Sequence, residues 1–163
     1  MKKAVQKKAA KSPEQDFIDS LYWYSPRPPS PTLEDIEAGK FTFGFPTIAF
    51  KAAAVDACSH VEGMTKVAAR GAFHIDGDLV AIEGIPVPRE DMVRIGMGVA
   101  DIRYRAEFRT WRVKLTIQYN ANVISVEQIV NLFETAGFAI GVGEHRPQRD
   151  GQWGRFHVAR QGE

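Results

Sequence analysis

Asp101-Ile102-Arg103-Tyr104-Arg105-Ala106-Glu107-Phe108-Arg109 alternates apolar and polar residues, and Trp111-Arg112-Val113-Lys114-Leu115-Thr116-Ile117-Gln118-Tyr119 continues the alternation with opposite parity after Thr110. A period of two is the pattern of a strand with one buried face. A single change of parity is what a bulge produces, because it keeps the apolar side chains on one core. The stretch therefore predicts a long bulged strand over 101–119. It also gathers Arg103, Arg105, Arg109, Arg112 and Lys114 on one face against only Asp101 and Glu107. That face is either a solvated sheet surface or a binding surface for an anionic partner.

Other elements fall into place around this strand. Phe41, Phe43 and Phe45 alternate with Thr42 and Gly44 and predict a strand that ends at Pro46. Phe50, Ala53, Ala54, Ala57, Cys58 and Val61 then recur at helical spacing up to Gly63, the stripe of a helix lying closely on a sheet. Ala72–Ile75 and Asp78–Ile82 flank Asp76-Gly77, a strong hairpin signal. Residues 84–100 are broken by Gly84, Pro86, Pro88, Gly96 and Gly98 and yield only short strands and turns. Ser125-Val126-Glu127-Gln128 fits a capping box opening a helix, with Val126, Ile129, Val130, Phe133 and Ala136 inward and Gly137 closing it. Phe138-Ala139-Ile140 enters the next strand, and Phe156-His157-Val158 reads as the last.

The order is strand (41–45), helix (47–61), strands (72–82 and 101–119), helix (125–136), strand (154–160). This is an α+β chain with the ferredoxin-like (RRM-like) order β-α-β-β-α-β, an antiparallel sheet with two helices on one face and an inserted β-hairpin. Residues 36–163 form the single domain. Residues 1–35 stand apart as a basic tail and an extended aromatic and proline-rich arm. The tail carries Lys2, Lys3, Lys7, Lys8 and Lys11 without an acid, and is either a solvated end or a weak, salt-sensitive attraction for nucleic acid. In the arm, Tyr22, Trp23 and Tyr24 precede Pro26, Pro28, Pro29 and Pro31. Left bare, that cluster would be a sticky patch, so it docks on its own domain or on a neighbouring subunit. Thr32 caps a short helix to Ala38.

Composition excludes several classes. The chain has 163 residues, 44% of them hydrophobic and 25% charged, and a net charge of +1, so a case for nucleic acid rests on local charge. Cys58, the single cysteine, allows no internal disulfide or cysteine metal cluster and reads as a small buried thiol. No apolar run reaches the roughly 18–20 residues of a membrane span, and no apolar core follows the first lysines as a secretory signal requires. A soluble, cytoplasmic protein without a cofactor is expected.

The remaining signal is Gly141-Val142-Gly143-Glu144-His145-Arg146, continuing through Arg149 to Gly151-Gln152-Trp153-Gly154-Arg155-Phe156. Glycines let a backbone approach a ligand closely, and arginines make forked bonds to phosphate. The backbone N–H groups of such a loop can form a concave anion site. Trp153 is either a base-stacking ring or a core residue beside the last strand. A Walker A loop is excluded because no Lys-Ser/Thr pair closes the motif, and a dinucleotide fingerprint because no helix opens after the glycines.

The chain resembles the RAMP superfamily, the repeat-associated proteins that include RNA-binding backbone subunits of CRISPR effector complexes. The resemblance lies in the glycine-rich stretch of 141–156 and in Phe45-Pro46-Thr47-Ile48-Ala49-Phe50-Lys51-Ala52, which is similar to the opening of that family's first helix. The family's small polar pair is only partly kept, as Ile48-Ala49, and a glycine usual after the lysine is Ala52. The resemblance implies RNA contact through Lys51, Arg146 and Arg155 and self-assembly along a strand, giving a homo-oligomer or a subunit of a larger complex. An assembly (virion-type) subunit clasping its neighbour through Tyr22, Trp23 and Tyr24 is the alternative.

A small endoribonuclease is a further alternative, because some members of that superfamily cleave RNA. His145 beside Arg146 is its one candidate for acid–base work on a phosphodiester. His60, His74 and His157 lack close metal spacing, and no G-x-S-x-G elbow occurs. His74, within a strand, reads as solvent-facing or hydrogen-bonded.

Overall fold

The computed structural model describes residues 12–163, so the five lysines of the basic tail lie outside the described residues. In chain order the elements are α1 (Pro13–Ser20), β1 (Tyr22–Trp23), α2 (Leu33–Glu37), β2 (Phe43–Pro46), α3 (Thr47–Ala57), α4 (Lys66–Ala72), β3 (Phe73–Ile75), β4 (Leu79–Glu83), β5 (Val87–Arg94), β6 (Ala100–Glu107), β7 (Arg112–Val113), β8 (Ile117–Tyr119) and α5 (Val126–Thr135). The fold is α+β with antiparallel pairing. Its strands hydrogen-bond as three sheets, in the orders β1-β2-β4-β7, β3-β8 and β5-β6. The single ferredoxin-like sheet expected from the sequence is not what these ladders trace. By contacts the chain divides into two compact units, Met1–Gly44 with Ala81–Val113 and Phe45–Val80 with Lys114–Glu163.

The first unit is built on the segment expected to be an extended arm, and this corrects the expectation for residues 13–23. Ser12 caps α1 through its side chain, Pro13 occupies the first turn, and Glu14 and Asp16 complement the helix N-terminus. The helix buries Phe17 and Ile18, which with Leu21, Ile36 and Phe43 make the core of this unit. Full burial of one such side chain contributes about 1.5–3 kcal/mol. Trp23 pairs with Phe43 across β1 and β2 and packs edge-on against Phe41 and Phe43. The aromatic cluster thus docks its tryptophan within its own unit, while Tyr22 and Tyr24 stay about half exposed. Ser20 Oγ donates to the carbonyl of Phe17 and accepts from the N–H of Ala106, joining α1 to β6.

Residues 101–119, expected as one bulged strand, are three strands in three different sheets. The segment 84–100 supplies what the sequence reading left open, an eight-residue strand pairing with β6 along its whole length, from Val87 opposite Glu107 to Arg94 opposite Ala100. Gly96 and Gly98 take positive φ at the tip, where the Ile95 N–H donates to Val99 O. The parity change at Thr110 marks the departure of the chain from this hairpin rather than a bulge.

The second unit packs α3 and α5 around Phe50, Ala53, Ala54, Leu132 and Phe133, with Phe73 edge-on to Phe133. Ser125 and Gln128 form the expected capping box of α5. Burial pushes the Cys58 thiol up, as befits a packing residue. The Asp76-Gly77 turn exists, with Gly77 at φ 78°, yet β3 and β4 go to different sheets instead of pairing as a hairpin. A competing partner takes the turn carbonyls: Thr47 donates its hydroxyl to Gly77 O and its N–H to Asp78 O. Helix α4, capped by Thr65, has no counterpart in the sequence reading, because exposed Val67 and internal Gly71 disturb its periodicity.

Gly137 does not end α5. A Cβ there would lie 1.9 Å from Phe156 O, and the Phe156 N–H donates to Gly137 O, so glycine is required by a crossing backbone. The helix widens instead into a π turn, Ala136–Ile140, and closes at Gly141 with φ 71°. Phe138–Ile140 is therefore not a strand, and residues 154–160 run without strand pairing.

Candidate nucleic-acid interface

The loop after the π turn is closed on itself. Val142 N–H donates to Gly154 O at 3.0 Å, Trp153 N–H to His145 O at 2.9 Å, and Arg149 and Gly151 N–H groups both to Arg146 O. Asp150 N–H donates to Pro147 O, and Gly141 N–H to Ala136 O. These donors face carbonyls of the same segment, so they do not form the anion cradle expected of them. The glycines serve the same closure: a Cβ on Gly154 would lie 1.7 Å from Val142 O, and one on Gly151 1.8 Å from His145 O. His145 and Asp150 adopt left-handed backbone at φ 47° and 62°, conformations that these two residue types accept more readily than most. What the loop can offer a ligand lies in its side chains.

Arg146 is partly enclosed, donating to Gly143 O at 3.0 Å and to Gln148 Oε1 at 3.2 Å. Gln148 in turn donates to Asp56 Oδ2 at 2.7 Å, which ties the loop to α3. Arg155 Nε donates to Gln152 O, and Arg149 is exposed. Neither Arg149 nor Arg155 has a carboxylate within ion-pair distance among the described residues. Trp153 is 45% exposed, which removes the core reading, and its ring meets His145 edge-on at 4.6 Å. Among the described residues the His145 ring thus packs against an indole and meets no carboxylate that would orient it as a base.

The sheet arginines have a different setting. Directly opposed residues share a face, so one face of the β5–β6 hairpin carries Arg89, Asp91, Asp101, Arg103, Arg105 and Glu107. Asp91 receives Arg89 at 2.9 Å and Arg105 at 3.7 Å; Arg103 meets Asp101 at 3.1 Å and Arg109 meets Glu107 at 3.7 Å. Arg112 stands opposite Glu83 on β4. Lys114 is exposed outside the strands. Three of the five expected cations, Arg103, Arg105 and Arg109, therefore meet acids, and Arg112 faces one across the ladder; Asp91 and Glu83 come from strands that the sequence does not set opposite these arginines. The alternation Val87, Arg89, Asp91, Val93 was the signal that would have shown it.

Lys51 lies elsewhere again. Its Nζ is 3.0 Å from His74 Nδ1 and 5.6 Å from the centre of the Phe73 ring. Asp56, which holds the loop, is five residues along the same helix, about 140° around its axis. The residues singled out from the sequence thus form three groups: the loop with Arg146, Arg149, Trp153 and Arg155; the acid-matched sheet arginines; and Lys51 with His74. Among the described residues no group of three or more His, Cys, Asp or Glu is placed to hold a metal ion, and no helix is long and apolar enough to cross a membrane.

No protein-family model, curated protein or solved structure matches this chain.

Proposed function

We propose that this chain is a non-enzymatic subunit that binds RNA or another single-stranded nucleic acid and assembles into a larger complex, as its resemblance to the RAMP superfamily implies. One observation carries the reading. The loop of 141–155 holds itself together through its own backbone and carries a half-exposed Trp153 together with exposed Arg149 and Arg155, cations without a carboxylate partner among the described residues. An exposed ring next to unneutralised guanidinium groups is what sequence-independent binding of an unpaired strand uses, by stacking and phosphate contact.

Fluorescence anisotropy of a labelled oligouridine across a salt series tests the proposal. Affinity should fall steeply with salt, and Arg149→Glu with Arg155→Glu should weaken binding of every sequence alike. No binding at low salt, or binding indifferent to salt, contradicts it.

Assembly has its own support in the first unit, where Met92, Met97 and Val99 are strongly exposed near the end of the β5–β6 hairpin and Tyr22 and Tyr24 are half exposed. Light scattering on the full chain should give a mass above that of a monomer, reduced by Met97→Asp with Val99→Asp. A monomer at high concentration removes the assembly half of the proposal.

A further inference from the structure

Lys51 is held by a base, not by an acid. An ammonium group can only donate, so at 3.0 Å His74 Nδ1 is the acceptor, and the neutral ring carries its proton on Nε2. Lys40, Lys66 and Arg27, by contrast, meet carboxylates, those of Asp35, Asp56 and Asp19. Lys51 has no carboxylate within ion-pair distance among the described residues. Around the ring, Gln118 stands directly opposite on β8 and donates its amide to Asp76 Oδ1 at 2.9 Å, a neutral donor that positions that carboxylate and leaves its charge in place. Of the charged groups on the other elements packed against β3, Lys66 on α4 is bound to Asp56 and Arg70 is exposed, and Glu134 on α5 accepts from Val158 N–H. His74 itself is exposed.

From this geometry we infer that Lys51 and His74 form a proton-controlled subsite for a phosphate of the nucleic-acid backbone. The inference rests on the nucleic-acid reading above and adds its regulation. Neutral His74 accepts from Lys51 and keeps the ammonium over the Phe73 ring. A proton on Nδ1 removes the acceptor and sets two positive charges side by side, so the lysine swings away. A phosphate placed between the two cations removes that repulsion and takes N–H bonds from both. Proton uptake and anion binding therefore reinforce each other, each by the same factor. Histidine side chains titrate between about pH 5 and 8, so affinity rises as pH falls through that window.

The test uses the full chain, a fluorescein-labelled oligouridine and constant ionic strength at about pH 8 and about pH 5.5, a range that spans histidine titration. The wild type should gain about tenfold more affinity on acidification than His74→Gln, the worth of one charge-assisted hydrogen bond. Lys51→Met should lose the same increment. His60, His145 and His157 remain in both variants, so their effects cancel in the difference. An equal gain in His74→Gln overturns the inference. Arg149→Glu with Arg155→Glu should lower affinity at both pH values and preserve their ratio, which separates failure of the loop from failure of the subsite. If no oligonucleotide binds at either pH, the His74 ring resonances are titrated with and without inorganic phosphate. A midpoint raised by phosphate supports the subsite, and an unmoved midpoint overturns it.

Discussion

One face of the β5–β6 hairpin of the first unit and the glycine-rich loop of the second each display three arginines: Arg89, Arg103 and Arg105 on one, Arg146, Arg149 and Arg155 on the other. The hairpin holds its set against Asp91 and Asp101. The loop holds Arg146 and Arg155 against backbone carbonyls. A carboxylate cancels a guanidinium's charge, whereas a carbonyl positions it and leaves the charge in place. Equal numbers of arginine thus give a neutral lattice in one region and a net attraction for anions in the other. What a basic residue can bind depends on what stands across from it, and that is set by strand register and loop closure.

The largest expected effects come from the two cores. Phe17→Ala in the first unit and Phe73→Ala in the second should each cost about 3–5 kcal/mol, since both rings are fully buried. Hydrogen exchange followed by mass spectrometry reads where protection is lost. Phe17→Ala should expose Pro13–Ser20 and β6, and Phe73→Ala should expose α3 and α5. Uniform loss throughout the chain in either variant would dissolve the distinction between the units.

Next in size is the contrast between glycines. Gly154→Ala drives a Cβ to within 1.7 Å of Val142 O at a left-handed φ and should cost about 3 kcal/mol or more. Gly98→Ala, at the hairpin tip with φ 79° and nothing within 4 Å, should cost only about 1 kcal/mol, the penalty of the backbone conformation alone. Urea denaturation of the two variants measures the difference; equal costs would mean that the loop is not closed by its own backbone.

Trp153→Ala should then weaken oligonucleotide binding by about 1–3 kcal/mol while leaving the urea midpoint nearly unchanged, because the ring is half exposed. Asp91→Asn sharpens the comparison from the other side. It should lower stability by about 1–2 kcal/mol and raise oligonucleotide affinity at low salt, since one negative charge beside Arg89 and Arg105 is removed.

The smallest effect is on acid stability. Arg27, and secondarily Gln15, holds the Asp19 carboxyl below its usual range, and Lys40 with Thr32 does the same for Asp35. A folded-state pKa below the unfolded one gives stability that is present above the unfolded value and lost as pH falls through the folded one. Lys40→Ala should therefore lower the urea midpoint slightly near neutral pH, and the difference should vanish well below about pH 4. His157 likewise lowers Glu163 in the second unit.

Local signals were read well wherever the chain neighbours decide the structure. The Ser125–Gln128 capping box, Thr32 at the start of α2, Pro46 at the end of β2 and the Asp76-Gly77 turn are all contacts within a few residues. Pairing was not legible, because an alternation of polarity states that a residue lies in a strand without naming the strand opposite. Asp91 is therefore not identifiable from the sequence as the partner of Arg105, and 101–119 has the pattern of one strand though its three parts join three sheets. In the loop, composition identified the glycines and arginines but not their use. Gly151 and Gly154 serve backbone closure, and the His74 contact with Lys51 depends on placing α3 beside β3.

The most direct test compares charge reversal in the two regions in one salt series. Arg149→Glu with Arg155→Glu, and separately Arg103→Glu with Arg105→Glu, are titrated with labelled oligouridine. The loop pair should lose at least about tenfold in affinity and reduce the magnitude of the salt slope by about two, while the hairpin pair lowers affinity much less and leaves the salt slope nearly unchanged. Loss of binding through the hairpin pair with an unaffected loop pair would contradict the account.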